Sequence, residues 1–205
     1  MSGMFWNSRG LSDPEKKLAI IEAIKDYKLG FVGLQETRKS VYSRVLLESL
    51  SGAFNFTWFG SPARGFAGGV LLGINNEMFD IIERDIGFYY VRCLVRHKLS
   101  GKSWNIVSVY GPPHDKDKQV LLTELVHVLH ANTLPYVVGG DFNIIRKSSD
   151  CNRPRRLSKW STLFNVVINN KELKELELTG RKYTWSNNQE ISVMAKLDRI
   201  LVSTE

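Results

Sequence analysis

The chain is poor in cysteine and has no long apolar run, and each shortage excludes a class of protein. Its two cysteines, Cys93 and Cys151, are spaced for neither a disulfide framework nor a cysteine-ligated zinc site. No stretch approaches the roughly 18 uncharged residues of a membrane helix, and the N-terminus lacks the apolar segment of a secretory signal. We therefore predict a soluble, intracellular protein with no membrane partner.

Glycine motifs that cradle nucleotide phosphates are also lacking. The sequence contains no G-x-x-x-x-G-K-[ST], and its glycine-rich run at 65–69 does not match G-x-G-x-x-G. A turn into a strand explains that run better. The sequence thus offers no support for a mononucleotide or dinucleotide fold.

The remaining composition is that of an ordinary globular domain. Hydrophobic residues make up 43% of the 205 residues and charged residues 24%, which excludes a disordered chain. A unit of this length buries roughly 70% of the surface that its unfolded chain exposes, so it needs no disulfides to form a core. We predict a single domain over 1–205.

The positive charge is concentrated in one segment. The chain carries 28 Lys and Arg against 21 Asp and Glu, a net charge of +7. Residues 144–160 hold six cationic residues and one acidic residue, and therefore +5 of that total. Pro154 and several small polar residues indicate a loop leading into a helix. Such a loop is either a phosphate-binding patch or a solvated surface, and charge alone does not separate the two.

Strand and helix patterns are interspersed along the chain. Apolar spacing predicts helices over 14–28, 41–50, 116–130 and 160–169. The predicted strands are 30–35, 54–59, 69–74, 78–84, 89–98, 102–110, 136–139, 182–186 and 195–202. Strict βαβ alternation is absent, which favours an α/β sandwich in which two packed sheets are flanked by helices.

Polar side chains follow several of the buried strands. They are Asn7, Glu36, Tyr110, and Asp141 with Asn143. Strands that bring oxygen ligands to one edge could assemble a site for Mg²⁺, which keeps waters for a phosphate substrate. Each residue alone also has a structural explanation, as a helix cap, a turn residue or an exposed strand end.

The order and flanks of these residues resemble a known family. The motifs are Trp6-Asn-Ser-Arg-Gly-Leu11, Leu34-Gln-Glu-Thr37, Val109-Tyr-Gly-Pro112, Gly139-Gly-Asp-Phe-Asn143, Tyr183-Thr-Trp-Ser186 and Leu197-Asp-Arg-Ile-Leu201. They resemble successive motifs of the endonuclease/exonuclease/phosphatase superfamily. The residues of these motifs resemble most closely those of the apurinic/apyrimidinic-like endonuclease domain of plant LINE-type (non-LTR) retrotransposons. The resemblance implies a four-layered, deoxyribonuclease I-like sandwich with mixed sheets.

The resemblance also implies a role for each matching residue. Glu36 would be the principal ligand of Mg²⁺, or of Mn²⁺ in its place, with Asn7 beside it. Asp141 would orient and deprotonate the attacking water, and Asn143 would steady it. Tyr110 would donate to the phosphate. Together these groups would position a phosphodiester for in-line attack.

DNA is the partner that the resemblance implies, and several residues are candidates for contacting it. Cations beside the catalytic motifs and one threonine of the Tyr-Thr-Trp-Ser motif are expected to meet the backbone. These candidates are Arg9, Arg38, Arg146, Lys147 and Thr184. The neighbouring Trp185 has two interpretations, a wall of the DNA groove or a core aromatic residue.

One feature departs from the family pattern. Asp198 matches a carboxylate that, in complete members, orients a histidine from a later Ser-Asp-His motif. The four histidines here are His97, His114, His127 and His130, and no Ser-Asp-His occurs. We therefore expect a domain truncated at its C-terminus, lacking its last strand and exposing a sheet edge.

Three functions remain open from the sequence. The first is a Mg²⁺-dependent DNA-nicking endonuclease domain of a retroelement, or its degenerate remnant. In this case a downstream reverse-transcriptase region and action in the nucleus are expected. The second is a phosphatase of a phosphoinositide or a small phosphate ester. The third is a catalytically inert nucleic-acid-binding module.

Overall fold

The computed structural model describes residues 2–63, 68–153 and 156–204, and side-chain caps set where its helices begin. Asp13 accepts a hydrogen bond from the backbone N of Glu15 (2.9 Å) and Ser43 from that of Leu46 (3.2 Å). The cap at Ser43 explains why the second helix starts at Arg44 and not at the predicted residue 41. The helices are α1 Pro14–Tyr27, α2 Arg44–Ser51, α3 Lys118–Leu129 and α4 Lys159–Asn170.

The first sheet has four strands among the described residues. They are β1 Ser2–Asn7, β2 Leu29–Gln35, β3 Phe56–Ser61 and β4 Val70–Asn75. Their spatial order is β1-β2-β4-β3, with β1 and β2 parallel and the other pairs antiparallel. The ends of β1 and β2 therefore meet at one edge, and β1 is an outer strand that pairs only with β2 in the described part of the chain.

The second sheet supplies the other half of the sandwich. Its strands are β5 Phe79–Ile86, β6 Tyr90–His97, β7 Ser103–Tyr110, β8 Tyr136–Asp141, β9 Lys174–Glu175 and β12 Asp198–Val202. Between β9 and β12, Trp185–Ser186 (β10) and Met194–Ala195 (β11) form a short hairpin. The order β5-β6-β7-β8-β12-β9 is mixed, because β7 and β8 are parallel while β12 runs against β8.

Three apolar cores hold four layers together and confirm the predicted sandwich. Ile20 and Ile24 of α1 pack with Leu34 on the outer face of the first sheet. Leu121 of α3 and Phe164 of α4 belong to the core on the outer face of the second sheet. A third core lies between the sheets. Alternating residues of β7 reach different cores, as expected from the two-residue period of a strand.

Two glycines in β8 allow the sheets to approach closely near the end of that strand. A Cβ on Gly139 would lie 2.2 Å from Cδ2 of Phe5, which belongs to the opposite sheet. Gly140 has φ of +135°, and a Cβ there would lie 2.0 Å from the carbonyl oxygen of Val109. The double glycine before Asp141 is therefore required by packing and backbone conformation together.

The last part of the chain is less regular than predicted. Only 185–186 of the predicted strand 182–186 pairs, and the strand predicted over 195–202 is divided between β11 and β12. The cause is local, since the hydroxyl of Thr184 accepts hydrogen bonds from the backbone N of Leu197 (3.0 Å) and of Asp198 (3.1 Å). These bonds turn the chain where a continuous strand would have run.

An ionic cluster ties β9 and β12 to the loop after β8. It comprises Arg146, Asp150, Glu175, Lys196 and Arg199. Arg199 is 4% exposed and donates to Asp150 Oδ2 and Glu175 Oε1, both at 2.7 Å. Burial opposes ionisation of Glu175, but its three cationic partners prevail and lower its pKa to about 2.

The structure also describes the two cysteines, the lengths of the helices and parts of two loops named from the sequence. Cys93 and Cys151 are both buried and free. No helix in the described ranges has the length and apolar character to span a bilayer. The glycine run at 65–69 and the basic loop at 144–160 each include residues outside the described ranges, namely 64–67 and 154–155.

Arg199→Met is expected to destabilise the fold by about 3–5 kcal/mol, because it removes the cation that pairs with the buried carboxylate of Asp150 and one of the three cations that pair with Glu175. Urea unfolding measures the change. The matched control is Arg44→Met, which breaks an ion pair to Glu48 with both side chains exposed and should have no measurable effect. Equal losses in the two variants would contradict a structural role for the ionic cluster.

Candidate active site

The ends of four strands bring the predicted polar residues to one place, which we call the rim. Asn7 ends β1, Tyr110 ends β7 and Asp141 ends β8, while Glu36 directly follows β2. Asp198 begins the antiparallel strand β12 and is paired in register with Asp141. Parallel strands present their carboxyl ends at the same edge, so the topology itself assembles the rim.

Hydrogen bonds connect these residues across the two sheets. Asn7 Nδ2 donates to Asp141 Oδ2 at 2.8 Å, which joins the first sheet to the second. Asp141 Oδ1 accepts from the backbone N of Asn143 at 2.9 Å, and Asn143 Nδ2 donates to the carbonyl of Gly111 at 2.8 Å. Asp141 is 5% exposed, so both of its oxygens are held in a nearly dry position.

Glu36 lies in a tight turn, and Arg38 covers part of its carboxylate. The Nε of Arg38 donates to Glu36 Oε1 at 3.0 Å, and Nη2 contacts the same oxygen. The Glu36 side chain is 14% exposed, whereas that of Arg38 is 51% exposed. The carbonyl of Glu36 accepts from the backbone N of Gly10 at 2.7 Å, which fixes the turn against the loop after β1.

The crowding of negative groups shows in their pKa values. Burial raises the pKa of Asp141 to about 7, the charges of Asp198 and Glu36 add to the rise, and hydrogen bonds from Asn143 and Asn7 oppose it. Burial likewise raises the pKa of Asp198. Such a pair titrates together, and its perturbation marks the rim as a candidate site.

Tyr110 responds to the same charges. Burial raises the pKa of its hydroxyl, and Glu36 and Asp141 raise it further. Tyr110 therefore stays protonated at neutral pH and can donate a hydrogen bond. The shared influence of Glu36 on Tyr110 and Asp141 also shows that all three lie within interaction distance of one another.

Backbone strain is concentrated at the rim. Arg9, Glu36, Arg38 and Asn143 have φ between 49° and 52°, a left-handed conformation that costs residues with a side chain about 1–2 kcal/mol. Neighbouring backbone contacts hold it in place, such as the bond from the N of Arg38 to the carbonyl of Gly68 (3.0 Å). Strain of this kind collects where side chains must be aimed precisely.

The oxygen donors at the rim fit a hard divalent cation. Glu36 provides a carboxylate and Asn7 an amide oxygen, which accepts only a 3.2 Å bond from the backbone N of Arg9 among the described contacts. No three His, Cys, Asp or Glu side chains in the described ranges come close enough to hold a metal by themselves. Mg²⁺ is commonly held by one or two carboxylates together with waters and substrate phosphate.

The predicted DNA-contacting residues divide into two groups. Arg9 acts electrostatically on Asp198, Arg38 contacts Glu36, and Thr184 binds the turn before Asp198, so these three lie at the rim. Arg146 does not. Its guanidinium donates to Glu175 Oε2 (2.7 Å) and Asn165 Oδ1 (2.8 Å) inside the ionic cluster. Lys147, beside it, is exposed.

A basic groove with aromatic walls lies around Thr184, and its Arg181 and Lys182 were not among the DNA-contacting residues predicted from the sequence. It has a volume of about 430 Å³, and its walls include Arg9, Arg181, Lys182, Tyr183 and Trp185. Lys182 Nζ lies 5.4 Å from the ring centre of Tyr183, and Trp185 is 37% exposed, which places the indole at the surface and not in the core. The available signal was two cations followed by two aromatic residues in 181–185.

The histidines do not supply a partner for Asp198. His97 Nδ1 contacts Ser100 Oγ at 3.0 Å and His130 Nδ1 contacts the carbonyl of Val126 at 2.7 Å, both away from the rim. His114 lines a cavity beside Tyr110. No hydrogen bond joins a histidine of the described ranges to Asp198.

Comparison with known proteins supports the geometry. The profile of the endonuclease/exonuclease/phosphatase family matches residues 4–205. No curated protein matches the sequence.

Solved structures share the fold at low identity. The endonuclease domain of TRAS1, a telomere-specific non-LTR retrotransposon, is 16% identical with a TM-score of 0.73, covering 98% of this chain and 84% of that one. The AP endonuclease LMAP of Leishmania major is 12% identical with a TM-score of 0.74, covering 98% and 78%. A mannosyl-6-phosphatase of Bacteroides thetaiotaomicron is 12% identical with a TM-score of 0.64, covering 99% and 85%.

Asp141→Asn is expected to stabilise the metal-free protein more at pH 8 than at pH 5. The folded-state pKa of Asp141, about 7, lies above its ordinary value of 3.8. A raised pKa contributes stability that is fully present below the unfolded value and is lost as pH rises through the folded value. Asparagine cannot ionise and so avoids that loss.

Thermal unfolding in EDTA measures this effect. The difference between the two pH values is the readout, since any change in hydrogen bonding to Asn7 is independent of pH. Asp26→Asn, at an exposed position of α1, is the control. If Asp141→Asn changes the unfolding temperature by the same amount at pH 5 and at pH 8, the pKa of Asp141 is not raised in the folded protein.

Proposed function

This chain belongs to the endonuclease/exonuclease/phosphatase family, and from that premise we propose that it is a divalent-metal-dependent phosphodiester hydrolase that nicks DNA, of the retroelement type. The observation that carries the proposal is the convergence of Asn7, Glu36, Tyr110 and Asp141 at one rim, linked by the bond from Asn7 to Asp141. A base, a hydrogen-bond donor to the phosphoryl oxygen and a set of oxygen ligands within interaction distance of one another are groups that hydrolysis of a phosphodiester uses.

Glu36 and Asn7 are the proposed ligands of Mg²⁺, or of Mn²⁺ in its place. When bound, the cation neutralises charge that develops on the phosphoryl oxygens. In the metal-free protein, the guanidinium of Arg38 donates a hydrogen bond to the Glu36 carboxylate. The negative environment of the rim, which raises the pKa of Asp141, is the kind that a cation relieves.

The remaining residues of the rim act on water and phosphate. Asp141 takes a proton from water as the water oxygen bonds to phosphorus and the bond to the leaving ester oxygen breaks, and the leaving oxygen takes up a proton from solvent water. A base is most effective when its pKa is close to the working pH; in the metal-free protein burial raises the pKa of Asp141 to about 7, and a bound cation would lower that pKa. Asn143, fixed by its bond to the Gly111 carbonyl, orients the water, and the protonated Tyr110 donates to the phosphoryl oxygen.

The basic groove favours DNA over a small phosphate ester. Arg9, Arg181 and Lys182 line an open groove of about 430 Å³ that includes Thr184, with Trp185 exposed among them. A single phosphate group does not need such an extended surface, whereas a polymer backbone does. The retroelement resemblance also implies that the protein acts in the nucleus and that a reverse-transcriptase region lies downstream. Both are part of this proposal.

One observation favours a second candidate, a metal-independent nucleic-acid-binding module. Asp198 has Thr184 and Arg9 as neighbours, and no described imidazole contacts it. Without that imidazole, we expect nicking to be slower by about 10²-fold or more than when a general acid is present. Salt-sensitive binding with no cleavage by the wild-type chain would support this candidate.

Glu36→Gln and Asp141→Asn should each reduce Mg²⁺-dependent nicking of supercoiled plasmid by about 10²-fold or more, because one loses the charged ligand and the other the base. Gel separation of nicked from supercoiled plasmid measures the rate. Glu48→Gln, on the exposed face of α2, is the matched control and should retain wild-type activity. Unchanged nicking by both rim variants would reject the proposed mechanism.

The double variant Arg181→Ala with Lys182→Ala should weaken binding to DNA and flatten its salt dependence. Each lost phosphate contact lowers the slope of log affinity against log salt by about 0.9 for duplex DNA. Fluorescence anisotropy at several salt concentrations measures the slope. Arg44→Ala, a cation on α2 paired with Glu48, is the control. A slope unchanged from wild type would remove the basic groove from the DNA interface.

A further inference from the structure

A buried polar pair lies between the two sheets, directly behind the rim. Gln35 and Ser108 are both 0% exposed, and Gln35 Nε2 donates to Ser108 Oγ at 2.9 Å. The two residues belong to different sheets, since Gln35 ends β2 and Ser108 lies in β7. Two residues earlier on β7, Ile106 belongs to the apolar core between the sheets. The pair therefore interrupts that core at the end nearest the rim.

Gln35 touches each of the four strands whose ends form the rim. Its backbone carbonyl accepts hydrogen bonds from the N and the Oγ of Ser8, directly after β1, both at 2.9 Å. Its side chain bonds to Ser108 of β7. On β8 it adjoins Gly140, where an added Cβ would lie 3.1 Å from Cδ of Gln35. Each residue that it contacts lies within two positions of a residue of the rim.

The side-chain amide of Gln35 is only partly satisfied. Its Oε1 is buried and accepts no hydrogen bond from any group in the described ranges. A buried acceptor without a partner costs free energy, whereas an apolar pair of the same shape avoids this cost. Stability therefore does not explain a glutamine at this position. Geometry does, because a hydrogen bond restricts the two atoms that it joins to about 2.7–3.2 Å.

The residues of the rim are divided between the sheets that this bond connects. The proposed metal ligands, Asn7 and Glu36, belong to the first sheet, where β1 and β2 pair with each other. The proposed base Asp141 and the donor Tyr110 are paired in register on β8 and β7 of the second sheet. Spacing within each half is set by its own sheet. Spacing between the halves depends on how the sheets are joined.

We propose that Gln35 is a positioning residue that, through its bond to Ser108, sets the metal-binding half of the rim against the half that activates water. This inference rests on the proposed function, because that function gives the two halves their roles. Gln35 is fully buried and acts only through the strands that it connects. Its replacement should leave each half intact and slow the reaction that requires both.

The test compares Gln35→Met, Ser108→Ala and the double variant with wild type. Methionine and alanine are apolar and close in size to the residues that they replace, so the double variant should keep the wild-type midpoint of urea unfolding. Its kcat for Mg²⁺-dependent nicking should fall by about 10-fold or more, since misplacing reacting groups by about 1 Å can cost about 10²-fold. Its KM for DNA should not change.

Binding of Mn²⁺ separates a positioning role from a general structural one. The electron paramagnetic resonance signal of free Mn²⁺ measures binding without catalysis, and the double variant should bind as wild type does because both proposed ligands lie on the first sheet. A kcat equal to that of wild type would overturn the inference. A loss of Mn²⁺ binding as large as the loss of kcat would overturn it as well.

The two single variants test whether the residues act through their mutual bond. If they do, each single variant should lose as much kcat as the double variant, because the second substitution removes nothing further. Independent losses that multiply in the double variant would contradict this. The matched control is Ser51→Ala, which removes the buried bond from Trp58 Nε1 to Ser51 Oγ (2.8 Å) away from the rim. It should lower the unfolding midpoint and leave kcat unchanged.

Hydrogen exchange tests the inference without any catalysis. The backbone N of Asn143 donates to Asp141 Oδ1, so its exchange reports how firmly that carboxylate is held. Exchange there should be faster in the Gln35 and Ser108 double variant, at an unchanged unfolding midpoint. Exchange equal to that of wild type would overturn the inference. Faster exchange in a protein whose wild type does not nick DNA would instead reject the proposed hydrolase and leave the positioning role of Gln35 standing.

Discussion

The hydrogen bond from Asn7 to Asp141 joins the end of β1 in the first sheet to the end of β8 in the second, and the candidate site depends on it. A second cross-sheet bond, from Gln35 Nε2 to Ser108 Oγ at 2.9 Å, lies behind it and is fully buried. Close approach is possible because Phe5 lies against Gly139, where a larger residue would separate the sheets. Glu36 on one sheet and Asp141 on the other thereby come within electrostatic range.

Bringing these residues together makes the rim locally unstable. Burial and, to a smaller extent, neighbouring acids raise the pKa of Asp141, and residues with large side chains adopt left-handed backbone conformations beside it. Three apolar cores and the ionic cluster stabilise the surrounding frame, so the rim can retain repulsion and strain that an isolated loop would relax. Function and stability are therefore opposed at the same carboxylates, as is common in active sites.

Regular elements with strong periodicity were predictable. Helix α1 begins at the predicted Pro14 and ends at Tyr27, next to the predicted residue 28, because its apolar spacing and its Asp-Pro start agree. Helix α2 was misplaced at its start, since Ser43 as a cap outweighs the apolar Val41. The strand predicted over 182–186 was too long, because side-chain bonds of Thr184 turn the chain there.

For the candidate site, the sequence determined which residues take part, and tertiary structure determined how they are arranged. The polar residues at strand ends, Asn7, Glu36, Tyr110 and Asp141, were identifiable from the sequence, because their position along the chain and their chemistry are local properties. Their mutual distances, the ion pairs of Arg146 and the basic groove were decided only by tertiary structure. A charge count does not show which partner a cation meets, since partners distant in sequence become neighbours only when the sheets pack.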